Sequence, residues 1–277
     1  MTTPSANLQE IVEYRGVEGL VAAEVTNDDN NTGYVTGQVF AIAGVAEISK
    51  TTDSSNEAHY YDNIPAVVVS NTSSDTVTIS VSAIPFDVLA MITGQNYDET
   101  TGALIEGPRD LKYFAIGYKT KKTNGDEVFV WRYKGTFNIP DQTNSTENDS
   151  TDANGQELTY TGISTTHKFT KTNKGAKALV VDTAKDLADV SSFFTEVTTP
   201  DTLTSKTPYT LTITQASNTT VTVTRNGTVL SSGASVYNGD VLVISVTGGT
   251  ITVNSTPFIS GNMHVVSGNV TVVSTAS

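Results

Sequence analysis

From residue 76 to residue 82 threonine and serine alternate with valine and isoleucine, which puts Val77, Ile79 and Val81 on one face of a strand and Thr76, Thr78, Ser80 and Ser82 on the other. The same period of two predicts strands over much of the chain. Residues 11–26 carry valine, alanine and tyrosine interrupted by Gly16 and Gly19, and further strands over 34–40 and 45–50 follow a polar turn, NDDNNTG, at 27–33. Residues 111–139 predict two long strands folded about Asn124-Gly125, a pair whose members both tolerate positive φ. On the second of them Phe129, Trp131 and Tyr133 share a face assigned to the core. Val128, Val130, Arg132 and Lys134 share the other, with Arg132 and Lys134 turned toward solvent or another subunit. Strands resume over 157–169 and 178–181.

Two segments read as helix. Pro85 stops the preceding ladder and Gly94 suits the position past a helix end, so 86–93 forms a short helix with Phe86, Leu89, Ala90 and Ile92 or Thr93 toward the sheet. Residues 184–196 predict a second, with Leu187, Val190 and Phe194 spaced for one face. Residues 1–9 are a polar arm, and 141–156 (DQTNSTENDSTDANGQ) has no periodicity and reads as a mobile loop. Residues 197–208, with two prolines and few apolar anchors, read as a link. Beyond it short Thr/Val strands separated by Asn226-Gly227, Asn238-Gly239 and Gly248-Gly249 predict an all-β sandwich or small barrel. The boundaries adopted are a first domain over 1–198, a linker over 199–208 and a second domain over 209–277. The fold class is mainly β.

The strand YFAIGYKT (113–120), the lysine-rich Asn-Gly turn and the strand VFVWRYKGTFNIP (128–140) together resemble the signature hairpin of the major tail tube proteins of long-tailed, siphovirus-type bacteriophages, a family with an A-I-G-[FY]-K hairpin and a W-x-Y-K-G strand. GLVAAEVTND (19–28), TVTISVS (76–82) and IPFDVLAMITGQNYD (84–98) are similar in order and spacing to that family's first strand, third strand and helix. The likeness covers roughly residues 10 to 195. It implies a tail-tube-type β-barrel or sandwich with one flanking helix, and a structural virion protein made and assembled in the host cytoplasm. It further implies homohexameric rings stacked into a hollow tube for genome delivery, joined to tape measure, terminator and distal tail proteins. The polar segment 51–74 would be either an ordinary surface hairpin or the arm that reaches a neighbouring ring, expected in the latter case to be disordered or mobile in the free subunit, with Thr52, Asp53, Glu57, Tyr60 and Tyr61 as its candidate residues and HYYDNIPAVVVS as its returning limb. The last domain resembles Ig-like modules appended to tail proteins and to bacterial surface proteins. That second likeness keeps open a competing class, a cell-surface adhesin or carbohydrate-binding β protein.

A formal charge of -13 and a pI near 4.5 argue against a protein that grips nucleic acid by neutralising phosphates. Viral DNA would pass through the lumen without specific binding, past a wall whose candidate acids are Glu24, Glu47 and Glu127, unless the acidity serves only to keep a self-associating protein soluble before assembly. Lys119, Lys121 and Lys122, with Lys112 nearby, form the one basic cluster, either a solvated hairpin tip that blocks edge pairing or a contact to an acidic face of another subunit. The chain has no cysteine and three widely separated histidines, which removes thiol nucleophiles and the usual zinc patterns. Tested against the EF-hand pattern, the loop around Asp152 has Ser150 in place of the first aspartate and Thr161 in place of the last glutamate. The turn at Asp28, Asn30, Thr32 and Gly33 ends on Val39. No nucleophile elbow, phosphate loop or dinucleotide fingerprint occurs, so no enzyme, metal or cofactor is expected. Neither a signal peptide nor a membrane span is expected, because no apolar run of about 18 residues occurs.

Overall fold

The computed structural model describes residues 11–61, 63–142 and 155–276. The polar arm at 1–9 and most of the loop expected over 141–156 lie outside them. Two compact units divide the chain, residues 1–203 and 204–277.

The first unit contains, in order, β1 (Tyr14–Asp29), β2 (Gly33–Thr36), β3 (Phe40–Ala41), β4 (Val45–Tyr61), β5 (Ile64–Val81), α1 (Phe86–Thr93), β6 (Asn96–Asp98), β7 (Ala103–Ile105), β8 (Phe114–Lys122), β9 (Glu127–Phe137), β10 (Asp141–Gln142), β11 (Gln156–Ile163) and β12 (Ala178–Asp182). Its main sheet runs β2-β1-β8-β9-β11-β5-β4, with β3 paired to β1, β10 to β11 and β12 to β9. β4 and β1 approach each other without pairing, so the sheet curls but is not a closed barrel. The concave face buries Val77, Ile79, Phe114, Ile116, Leu158 and Tyr160, as the alternation along each strand requires.

A bulge makes both faces of β9 apolar. Phe114 pairs with Gly135 but Ile116 pairs with Arg132, so β9 has one residue more than β8 across this step and its parity flips. Phe129, Trp131 and Tyr133 therefore pack on the convex side, while Phe137, of the same sequence parity, joins the concave core. Gly135 at the bulge is sterically fixed: a Cβ there would lie 2.3 Å from the Tyr160 ring and 2.5 Å from the Thr161 carbonyl. The β8–β9 turn also differs from the expected two-residue form. Gly125 N–H donates to Lys122 O at 3.0 Å and only Gly125 has positive φ (92°), so the loop is a type I turn closed by a left-handed glycine.

α1 spans the predicted residues. Pro85 precedes it, Gly94 ends it in the left-handed conformation (φ 71°), and Leu89, Ala90, Ile92 and Thr93 face the core. Phe86 does not, at 54 % exposure. Side chains lean toward a helix's N-terminus, so one in the first turn points past the edge of the core rather than into it.

The second helix is absent. Residues 164–177 and 183–203, on either side of β12, form a strap over the convex face, with only a short 3-10 turn at Thr183–Lys185. Asp186 takes a left-handed conformation and the Asp189 carboxylate accepts the Ser191 N–H at 3.0 Å, local bonds that compete with a helical ladder. Phe193 is buried against Phe129, and Leu187, expected inward, is exposed. The strap continues to Leu203: the Tyr133 hydroxyl donates to Thr198 O, Lys171 donates to Leu203 O, and Val197, Thr198 and Thr199 are buried.

The second unit is a two-sheet sandwich. β13 (Tyr209–Thr214), β14 (Thr220–Arg225), β15 (Thr228–Leu230), β16 (Ser235–Val236), β17 (Val241–Thr247), β18 (Gly249–Val253), β19 (Thr256–Phe258), β20 (Met263–Val265) and β21 (Val270–Ala276) form one sheet in the order β16-β13-β21-β18-β19 and another in the order β15-β14-β17-β20. Leu211, Val223, Ile244 and Val272 are among the residues between them. Lys206, Arg225 and Asp240 are its only charged side chains, so the negative charge of the protein belongs to the first unit.

Candidate assembly surface

Strand direction gives the first unit two distinct ends. Val45 of β4 pairs with Val81 of β5, Gln156 begins β11 and Phe114 begins β8, so all four lie at the end closed by α1. At the other end β11 stops pairing with β5 at Asp75, yet β4 and β5 continue alone from Ser54↔Thr72 to Tyr61↔Ile64. Eight residues of β4 beyond the sheet give a two-stranded ribbon about 25 Å long. Val67 and Val68 point to opposite faces and are 50 % and 63 % exposed, and Ile64 is 65 % exposed, so each face of the ribbon presents an uncovered apolar side chain.

Segment 51–74, expected to be disordered in the free subunit, is thus two paired strands. Tyr60 and Tyr61 are not on its returning limb; they end the outgoing strand, opposite Pro65 and Ile64. Thr52 and Asp53 lie at the ribbon's root, where the Ser74 hydroxyl donates to Asp53, and Glu57 sits opposite Val69 on the ribbon itself.

The lysine cluster lies at the ribbon end but is occupied within the chain. Lys119 bridges Glu18 at 2.8 Å and Glu127 at 2.9 Å, Lys121 reaches Glu18 at 3.2 Å, and Lys122 is bonded to Asp182. The Lys119 and Lys121 ammonium groups hold the Glu18 carboxyl below its ordinary pKa. Among the acids assigned to the bore, Glu24 pairs with Lys112 at 2.9 Å, Glu127 belongs to the lysine cluster, and Glu47 is exposed on β4.

Arg132 and Lys134 point inward to partners rather than outward. Arg132, 7 % exposed, donates to Asp75 at 3.0 Å and to the Tyr118 hydroxyl at 3.4 Å, and Lys177 adds a second cation to Asp75 at 3.2 Å. Burial alone would raise the Asp75 carboxyl, but the Thr52 hydroxyl and the Lys177 ammonium outweigh it and hold it below its ordinary pKa. Lys134 donates to Asp28 at 2.6 Å, and Asp28 also accepts the N–H groups of Thr166 and His167, each at 2.8 Å. Asn30 takes the Lys168 N–H at 3.0 Å. The turn that failed as a calcium loop is therefore a latch for the strap. Burial raises the Asp28 carboxyl and these donors more than reverse that, leaving it lowered.

Sequence reasoning missed Asp75 and Asp28. An aspartate beside a strand that faces an inward arginine was the available signal, and it needed the pairing register to be read.

A family model described as phage tail tube protein matches residues 26–186. The chain belongs to the phage tail tube protein family. No curated protein matches it. The match runs from the end of β1 through the ribbon, α1 and the signature hairpin to β12, and so contains both ends of the tube subunit described above. This tail tube protein is a structural component of the virion that assembles with copies of itself and with other tail proteins. No helix among its described residues is long and apolar enough to cross a membrane.

Proposed function

We propose that this tail tube subunit closes hexameric rings that stack into the conduit for genome delivery, with the β4–β5 ribbon as the arm between rings. The observation that carries the reading is that ribbon. An isolated two-stranded hairpin is marginal in water, and this one exposes β-branched side chains on both faces. Docking on another copy would cover them. A ring closes by heterologous contacts, and an arm along its axis leaves the stack open-ended. Tape measure, terminator and distal tail proteins complete the assembly, as the sequence resemblance implied. Glu24, Glu47 and Glu127 remain the acids proposed for the bore. Since Glu24 and Glu127 each hold a lysine, Glu47 would contribute most of the repulsion that lets DNA slide. A neutral or positive bore in the assembled particle would remove this part of the reading.

The test is assembly of the purified chain, viewed by electron microscopy. The wild type gives rings and tubes. Replacing residues 55–71 by an Asn-Gly turn between the paired Ser54 and Thr72 leaves the melting temperature within a few degrees and yields rings without tubes. Normal tubes from that variant would refute the arm.

A second expectation concerns residues 204–277, proposed as an outer decoration carried by the tube domain. Among the described residues, none of the first unit's three apolar clusters contains a residue beyond Leu203. A chain ending at Leu203 is expected to keep the first unit's melting temperature and to build tubes of smaller diameter. Loss of rings would show that the sandwich belongs to the assembly.

A further inference from the structure

Exposed apolar residues of the first unit stand at both of its ends, while Val35, Val180 and Leu187 are exposed elsewhere. Ile64, Val67 and Val68 lie on the ribbon. Phe86 and Met91 on α1, Ile105 on β7, and Leu111 and Ile139, which flank the β8–β9 hairpin, lie at the opposite end and are also exposed. That end is built as one body. Arg109 donates to the carbonyls of Thr93 and Phe137, each at 2.6 Å, and Asp110 N–H donates to Gly94 O at 2.9 Å, which ties α1, the segment before β8 and the end of β9 together.

We propose that the ribbon tip of one copy seats on the α1 end of a second copy, against Phe86 and Leu111. The proposal rests on the tube reading above and names the receiving surface of the arm. A contact between opposite ends of one subunit is heterologous and, repeated along an axis, does not close. Ribbon-on-ribbon pairing would instead be isologous and stop at two rings. The apolar character on both sides excludes an ionic joint: residues 53–74 contain no lysine or arginine, and residues 85–113 hold five acids against Arg109 and Lys112. Salt screens that like-charge repulsion, so stacking is strengthened at high ionic strength. A few side chains per copy fall short of the roughly 800 Å² per partner of a stable pairwise interface, so a single contact is weak. Contacts repeated around a ring act together.

Since the chain lacks cysteine, a full-length double variant, Val68→Cys with Leu111→Cys, can be assembled and treated with a flexible bismaleimide. A covalent ladder of many subunits is expected, whereas either single variant stays monomeric on a denaturing gel. Phe86→Asp and Leu111→Asp alter exposed positions, and each is expected to reduce tube number at least ten-fold while rings persist. Val68–Val68 dimers, or tubes that form without a ladder and survive both aspartates, would overturn the proposed receiving surface and leave the tube reading standing. Absence of rings and tubes from the wild type would instead overturn the tube reading itself.

Discussion

Trp131→Ala is expected to destabilise the first unit by about 3–5 kcal/mol, the range for removing a large aromatic side chain from a closed core. The ring is fully buried between the sheet and the strap, tilted by 56° against Phe194 and pressed on Gly117, where a Cβ would approach it to 3.0 Å. Its Nε1–H donates to the Phe193 carbonyl at 2.7 Å, so it is also a fastener for the strap. Two losses add. The cavity removes packing from Phe129 and Phe194, and the orphaned carbonyl of Phe193 keeps only the Thr198 hydroxyl as donor. Trp131→Phe separates them: it retains most of the volume and is expected to lose only about 1–2 kcal/mol, the value of the hydrogen bond and a little packing. Because Trp131 is the only tryptophan, calorimetry or circular dichroism must follow the unfolding. A melting temperature for Trp131→Ala within 2 °C or so of the wild type would mean that the ring lies at a surface and the strap does not cover it.

The strap is also where sequence reading fell short. Residues 184–196 have helical spacing of Leu187, Val190 and Phe194, yet Asp186 and Asp189 make local bonds and Phe193, not Leu187, is the anchor. Such a segment is shaped by the surface it covers, which no local period encodes. By contrast the 76–82 alternation, the Asn-Gly hairpin and the Pro85-to-Gly94 helix were legible, because each depends on one or two turns of chain. The ribbon shows the limit between these cases. Its polar composition suggested disorder, but a partner strand that follows in the chain, from Ile64 opposite Tyr61 to Thr72 opposite Ser54, satisfies its backbone regardless of side-chain polarity.

Arg132 illustrates a subtler failure. Strand alternation placed it correctly opposite Trp131, and the error lay in assuming that the face opposite a core is wet. In a curled sheet covered on both sides, both faces of the central strand are buried and its charges must find partners inside. The site thus depends on topology, since Asp75 lies on β5 and Lys177 just before β12.

Asp75→Asn follows as the other large effect. Asp75 is the shared anion of Arg132 and Lys177, and Lys177 also donates to the Ser73 carbonyl at the ribbon's root. Neutralising it leaves a guanidinium buried without a counter-ion, a change worth about 3–5 kcal/mol. The pH dependence has a definite sign. The carboxyl's pKa is lowered on folding, so its contribution is fully present above the ordinary carboxylate range and is lost as pH falls through the depressed folded value. Wild-type stability should therefore fall steeply below about pH 4, and Asp75→Asn should flatten part of that slope while lowering the plateau at neutral pH. The other lowered carboxyls, Asp28 among them, keep the remainder of the slope. Arg132→Met combined with Asp75→Leu is expected to lose less than the sum of the single changes, because an apolar pair leaves no stranded charge between those positions. Additive losses, or an unchanged acid slope in Asp75→Asn, would show that the ion cluster is not what joins the ribbon's root to the sheet.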